Sequence, residues 1–176
     1  MGIVKTVIVM AGVICMLSAP AQADATNPVW RVYFSPQGGC TEAIEAELIG
    51  ARSNIHVQAY SFTSEPIAKA LLEAHKRGVV VKVILDKSQR TANYSSADFL
   101  AHAGIMTLVD DQHAIAHNKV MIIDDATVIT GSFNFTKAAE FNNAENLLII
   151  RDRTLTGQYQ KNWELHAGHS HLYEGR

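Results

Sequence analysis

The chain has 176 residues, 15 Lys or Arg against 17 Asp or Glu, a net charge of −2 at neutral pH and two cysteines. That length suits one domain with a substantial core. The slightly acidic balance excludes a protein that holds nucleic acid through its overall field, so any such role must rest on a local positive site.

Residues 1–23 read as a secretory signal peptide. Lys5 gives a basic start, Thr6–Leu17 is an apolar run short for a bilayer span, and Ser18–Ala23 ends in an Ala-x-Ala site. Cleavage after Ala23 leaves a single domain, 24–176, in the periplasm or outside the cell, with no stable membrane association. Losing Lys5 leaves 14 basic residues against 17 acidic ones. Cys15 leaves with the signal, so Cys40 has no partner for an intrachain disulfide. Cys40 reads as a buried or half-buried packing residue at a helix start, with an intermolecular bridge as the other reading.

Along the domain, Val29–Ser35 alternates like a strand, and Thr41–Ala51 has helical spacing. Ile55–Phe62 reads as a strand with Ile55, Val57, Ala59 and Ser61 on one face. A helix follows, capped at Thr63 or Ser64, with Pro66 in its first turn and a stripe of Ile67, Ala70, Leu71 and Ala74. Lys76 and Arg77 close it, and Gly78 stands at C′. Val79–Leu85 is the β-branched run of a strand covered on both faces. Asp86–Ser96 reads as a polar surface loop, Ala97–His102 as a short helix ended by Gly104, and Met106–Val109 as a strand. Lys119–Ile123 and Thr127–Thr130 form a hairpin across Asp124–Ala126. Asn134–Asn143 holds one or two helical turns, Ala144–Ile150 is a strand, and Arg153–His166 is a closing helix. Alternation early and paired strands late predict an α/β domain: a mixed, largely parallel β-sheet with helices on both faces.

The chemistry concentrates in His117-x-Lys119-x4-Asp124, followed by Gly131-Ser132-x-Asn134. If the strand begins by His117, then His117 and Lys119 share a face with Met121 and Ile123, and Asp124 points the other way. Two strand residues separate the side-chain origins by roughly 6.6 Å, so an imidazole and an ammonium can converge on one phosphate. The imidazole can be nucleophile or acid near neutral pH. Ser132 and Asn134 are spaced to donate to the same phosphate, whereas Asp124, at a hairpin turn, reads as architectural. Glu145 is a lone acid at the head of an apolar strand and the best candidate to hold the other imidazole nitrogen. His113 lies four residues before His117, but the stretch runs into a strand, which weakens a metal pair. His166, His169 and His171 read as a solvated tail in preference to an adventitious metal site, and Lys87 and Arg90 as surface charge in preference to guides for nucleic-acid backbone.

These residues resemble the phospholipase D superfamily, whose signature is His-x-Lys-x4-Asp with a following Gly-Ser-x-Asn, and its small periplasmic endonucleases in particular. The resemblance implies that His117 is the nucleophile, that Lys119, Ser132 and Asn134 bind phosphate, that Glu145 orients the histidine, and that Asp124 belongs to the catalytic motif. It implies no cofactor and no metal. Two histidines are needed, one to attack phosphorus and one to protonate the leaving oxygen, yet the chain carries one motif. A homodimer with one active site across its two-fold interface supplies the second. The expected activity is metal-independent, sequence-non-specific cleavage of DNA, and of RNA as a further possibility; a phospholipase acting on lipids is the alternative.

Overall fold

The computed structural model describes residues 1–2 and 29–176, so the signal-peptide reading, which rests on residues 5–23, lies outside the described residues. Among the described residues eight strands are formed: β1 Val29–Ser35, β2 Asn54–Ala59, β3 Val80–Asp86, β4 Met106–Asp110, β5 Lys119–Ile123, β6 Thr127–Gly131, β7 Glu145–Arg151 and β8 His171–Leu172. The helices are α1 Cys40–Gly50, α2 Glu65–Lys76, α3 Ala97–His102, α4 Lys137–Phe141 and α5 Arg153–His169. All eight strands join one sheet in the order β1-β7-β6-β5-β2-β3-β4-β8.

The sheet is mixed as expected, but its parallel part is narrower than the largely parallel sheet that the sequence suggested. Only β2–β3 and β3–β4 pair in parallel. The other five pairings are antiparallel. Parallel pairing needs a crossover connection, which α2 and α3 provide. Between β5 and β6 the chain instead reverses through Asp124 and Asp125, both in the left-handed region at φ 53° and 51°.

Strand parity builds a core on each face. Ile55, Val57 and Ala59 of β2, Val81, Val83 and Leu85 of β3, and Met121 and Ile123 of β5 pack with Ile44 and Leu48 of α1 and Ile67 and Leu71 of α2. These four helical side chains are fully buried. At about 1.5–3 kcal/mol each, they hold both helices on the sheet. The opposite residues, Ile84, Val120 and Ile122, lie under Trp163 of α5, whose indole N–H donates to the Val57 carbonyl at 2.9 Å. Asp152 starts α5 by accepting from the amides of Thr154 and Leu155.

Cys40 is wholly buried at the first position of α1, as the packing reading expects. Burial, with Glu140, Glu42 and Glu145 nearby, pushes its thiol up to about 11. The C-terminus departs from expectation: α5 runs to His169, and His171–Leu172 then pairs with β4. The Tyr173 hydroxyl and Arg176 bind Asp98 at 2.5 and 3.0 Å. The otherwise unpaired edge of β4 gives this segment backbone partners, so it is no solvated tail. At the other edge, β1 leaves Trp30 and Phe34 63% and 64% exposed. Among the described residues, no helix is long and apolar enough to cross a membrane.

Candidate active site

Lys119 begins β5 opposite Ala59, the last residue of β2. It lies on the face of Met121 and Ile123, as parity predicts, and is only 7% exposed. His117 precedes the strand by two residues rather than heading it. The Tyr60 amide, however, donates to the Asn118 carbonyl at 2.8 Å, which keeps this stretch alongside β2. Lys119 Nζ donates to the His117 carbonyl at 2.8 Å, so the ammonium and the histidine are tied together directly. The Tyr60 ring lies 4.6 Å from the exposed His117 ring and 5.1 Å from Lys119 Nζ. Spacing gave no signal for Tyr60, which is brought to the site only by sheet pairing.

Burial lowers the pKa of the Lys119 ammonium, and the charge of Glu145 opposes that shift. Glu145 is the first residue of β7, on the strand that pairs with β6. Within one chain its carboxylate accepts from the Asn143 side-chain amide at 3.0 Å. Among the described residues it makes no hydrogen bond with His117.

The loop after β6 depends on Gly131, whose φ is 147°. A Cβ there would lie 2.2 Å from the Asn146 carbonyl oxygen, which instead accepts from the amides of Ser132 and Phe133. Ser132 Oγ accepts from the Asn146 backbone amide at 3.1 Å, leaving its own proton to donate. Phe133 and Phe135 are fully buried and anchor the loop. Asn134 Oδ1 is buried without a partner; as an acceptor it cannot bind a phosphate oxygen, so a phosphate contact from this residue falls to its Nδ2 group. Lys119, Gly131 and Glu145 therefore stand at one end of three adjacent strands.

Asp124 is elsewhere. It terminates β5 at the opposite end, about 16 Å along the strand from Lys119. Its carboxylate accepts from the amides of Arg52, Ser53 and Asn54 at 2.9, 2.7 and 3.1 Å, and from the Ser53 hydroxyl at 2.8 Å. Burial raises its pKa, but these donors outweigh that effect and bring it below the usual carboxylate range. In the structure Asp124 clamps the hairpin to residues 52–54, away from the end of the sheet that holds Lys119.

The histidines set aside as a tail are also relocated. His166 and His169 occupy the last turn of α5 and meet His113 around Asp110, a carboxylate with no exposure at the end of β4. Burial pushes Asp110 up, yet the surrounding imidazoles and the Gln112 amide prevail and hold it far below the usual range. Lys87 Nζ donates to the His113 carbonyl at 2.9 Å, while Arg90 remains exposed.

Residues 44–166 match the family described as "Cardiolipin synthase, PLD-like domain". The chain is 45% identical over 130 residues to a phospholipase D of Rickettsia bellii, covering 74% of this chain and 65% of that one. It is 32% identical over 154 residues to the mitochondrial cardiolipin hydrolase of Canis lupus familiaris, covering 85% and 61%. It therefore spans less than two thirds of the length of either relative. Among solved structures, it superposes on Nuc from Salmonella typhimurium, a phospholipase D family member, with a TM-score of 0.81 and 37% identity. That match covers 85% of this chain and all of Nuc. NucT from Helicobacter pylori shares the fold at a TM-score of 0.78 and 23% identity, over 84% of this chain and all of NucT.

Proposed function

The chain belongs to the phospholipase D superfamily, and from that premise we propose that it is a phosphodiesterase: a metal-independent, sequence-non-specific endonuclease whose active site is completed by a second copy. The observation that carries this reading is an exposed imidazole among groups suited to a phosphate. His117 is exposed beside a buried ammonium, with an unspent serine proton at the same end of the sheet.

In the proposed reaction, a ring nitrogen of His117 attacks phosphorus. An N–P bond forms as the P–O bond to the leaving alcohol breaks, and the partner's His117 gives that oxygen a proton. The now neutral partner histidine takes a proton from water, and the resulting hydroxide displaces the phosphohistidine, regenerating both imidazoles. Two Lys119 ammoniums, with Ser132 and Asn134, stabilise the charge on the phosphoryl oxygens. The charge of Glu145 opposes the lowering of the Lys119 pKa by burial, and a role in positioning a histidine requires the partner's His117, because Glu145 makes no hydrogen bond with His117 of its own chain.

An exposed apolar strip of Trp30, Val32 and Phe34 supports the dimer. Phe34 sits opposite Asn146, which donates to Ser132, so a partner docked there adjoins the site. Nucleic acid is favoured over lipid because the chain matches Nuc over its full length, whereas it spans only 61–65% of the lipid-named relatives. The same apolar strip also fits a second reading, phospholipid cleavage at a membrane. Incubation with plasmid DNA and with cardiolipin vesicles separates the two, and vesicle hydrolysis with intact DNA overturns the first. His117→Ala lowers DNA cleavage by at least about 10³-fold. Chelator-treated protein, verified as folded by circular dichroism, stays active; complete loss of activity in chelator, in a variant whose His113 and His169 are replaced by Gln and whose folding and activity without chelator are verified, refutes metal-independent chemistry.

A further inference from the structure

We infer that Asp110, His113, His166 and His169 form a structural zinc site, separate from the residues that attack phosphate. Their ligand atoms, one from each residue, all lie within 4.8 Å of one another. His166 Nδ1 is 2.7 Å from Asp110 Oδ2, His113 Nδ1 is 3.0 Å from it, and His169 Nε2 is 3.3 Å from it. Three imidazole nitrogens thus converge on one buried carboxylate oxygen. The ring centroids are 4.8, 5.2 and 5.2 Å apart. His169 Nε2 is buried yet makes no hydrogen bond, so it is a polar atom aimed into the cluster and left unspent.

The chemistry selects the ion. Three imidazoles and a carboxylate suit zinc better than calcium or magnesium, which prefer all-oxygen shells. Zinc bonds of about 2.0–2.1 Å in a tetrahedron place ligand atoms roughly 3.3 Å apart. The distances to Asp110 run from 2.7 Å up to that value, so small side-chain rotations complete the shell. Asp110 Oδ1 is held by the Gln112 amide at 3.1 Å, which orients the carboxylate as an outer-shell contact should. Four protein ligands leave no open position, the mark of a structural rather than a catalytic site.

The elements joined give the site its effect. Asp110 ends β4, His166 and His169 close α5, and His113 lies in the loop that leads to His117. The ion cross-links the end of α5 to the sheet and fixes one end of the loop that carries His117. It takes no part in bond breaking.

The full chain, stripped by dialysis against chelator, is titrated with zinc alone against a chromophoric competitor, and its melting temperature is read in parallel. One zinc per chain is expected, with a dissociation constant below about 1 μM and a melting temperature raised by several degrees. A His113→Gln/His169→Gln variant, changed at partly exposed positions, is expected to bind at least about 100-fold more weakly. It should melt near metal-free wild type, which shows that it folds. His117→Ala is expected to bind zinc like wild type. The inference fails if stripped wild type takes up no zinc at 0.1 mM (roughly 10²-fold above the expected constant), if the double variant binds as tightly, or if His117→Ala abolishes uptake.

Discussion

Gly131 and His117 show two ways in which a single residue makes this site. His117 contributes a reactive ring, while Gly131 contributes the absence of a side chain. At Gly131 a Cβ would meet the Asn146 carbonyl at 2.2 Å, and the backbone stands at φ 147°. Gly131→Ala must therefore push β6 away from β7 or break the two amide contacts to Asn146. About 2–4 kcal/mol of stability is expected to be lost, and DNA cleavage should fall as Ser132 moves. Chemical denaturation and activity on the same preparation check both. Unchanged stability would mean that the strand ends shift freely, and the role given to Gly131 would be wrong. Tyr60 is the residue that no reading of spacing could find. It lies 57 residues before His117 in sequence, and only the pairing of β2 with β5 makes them neighbours.

At the scale of elements, the hairpin β5–β6 separates the two halves of the motif. Asp124 clamps residues 52–54 at one end, while Lys119 works at the other. Asp124→Ala should cost about 1–2 kcal/mol by removing the charged acceptor shared by the backbone amides of residues 52–54, with activity per folded molecule retained. Because the folded pKa of Asp124 is depressed, its contribution is present above the unfolded value near 3.9 and is lost as pH falls through the lower folded value. The stability gap between wild type and variant should accordingly narrow on acidification below about pH 4. A gap that is constant from pH 3 to pH 7 would remove the carboxylate from the explanation. Parity made this division legible in the sequence: positions 119, 121 and 123 share a face, and 124 leaves it. Helix ends were legible for the same reason, since Ser64, Pro66 and Gly78 act locally. The His cluster was not legible, because His166 meets Asp110 only across 56 residues of sequence. The short parallel region was missed as well, since strand direction depends on the connections rather than on the strands' own residues.

The whole molecule raises the question of what one copy can do alone. If one active site requires His117 from two copies, activity depends on pairs rather than on chains. Mixing wild type with His117→Ala under exchanging conditions then gives activity proportional to the square of the wild-type fraction, because hybrid dimers lack one of the two imidazoles. An equimolar mixture retains about a quarter of the activity of the same total protein as wild type; independent chains would retain about half. The experiment needs no structure of the complex, and it uses a substitution at an exposed residue that should not disturb the fold. A companion variant, Phe34→Glu, places a charge in the apolar strip beside Asn146. It is expected to give a monomer by sedimentation with little activity, although every residue of its own half-site is intact. A linear dependence in the mixing experiment, with a fully active Phe34→Glu monomer, would show that one chain suffices, and the source of the proton for the leaving oxygen would have to be sought within it.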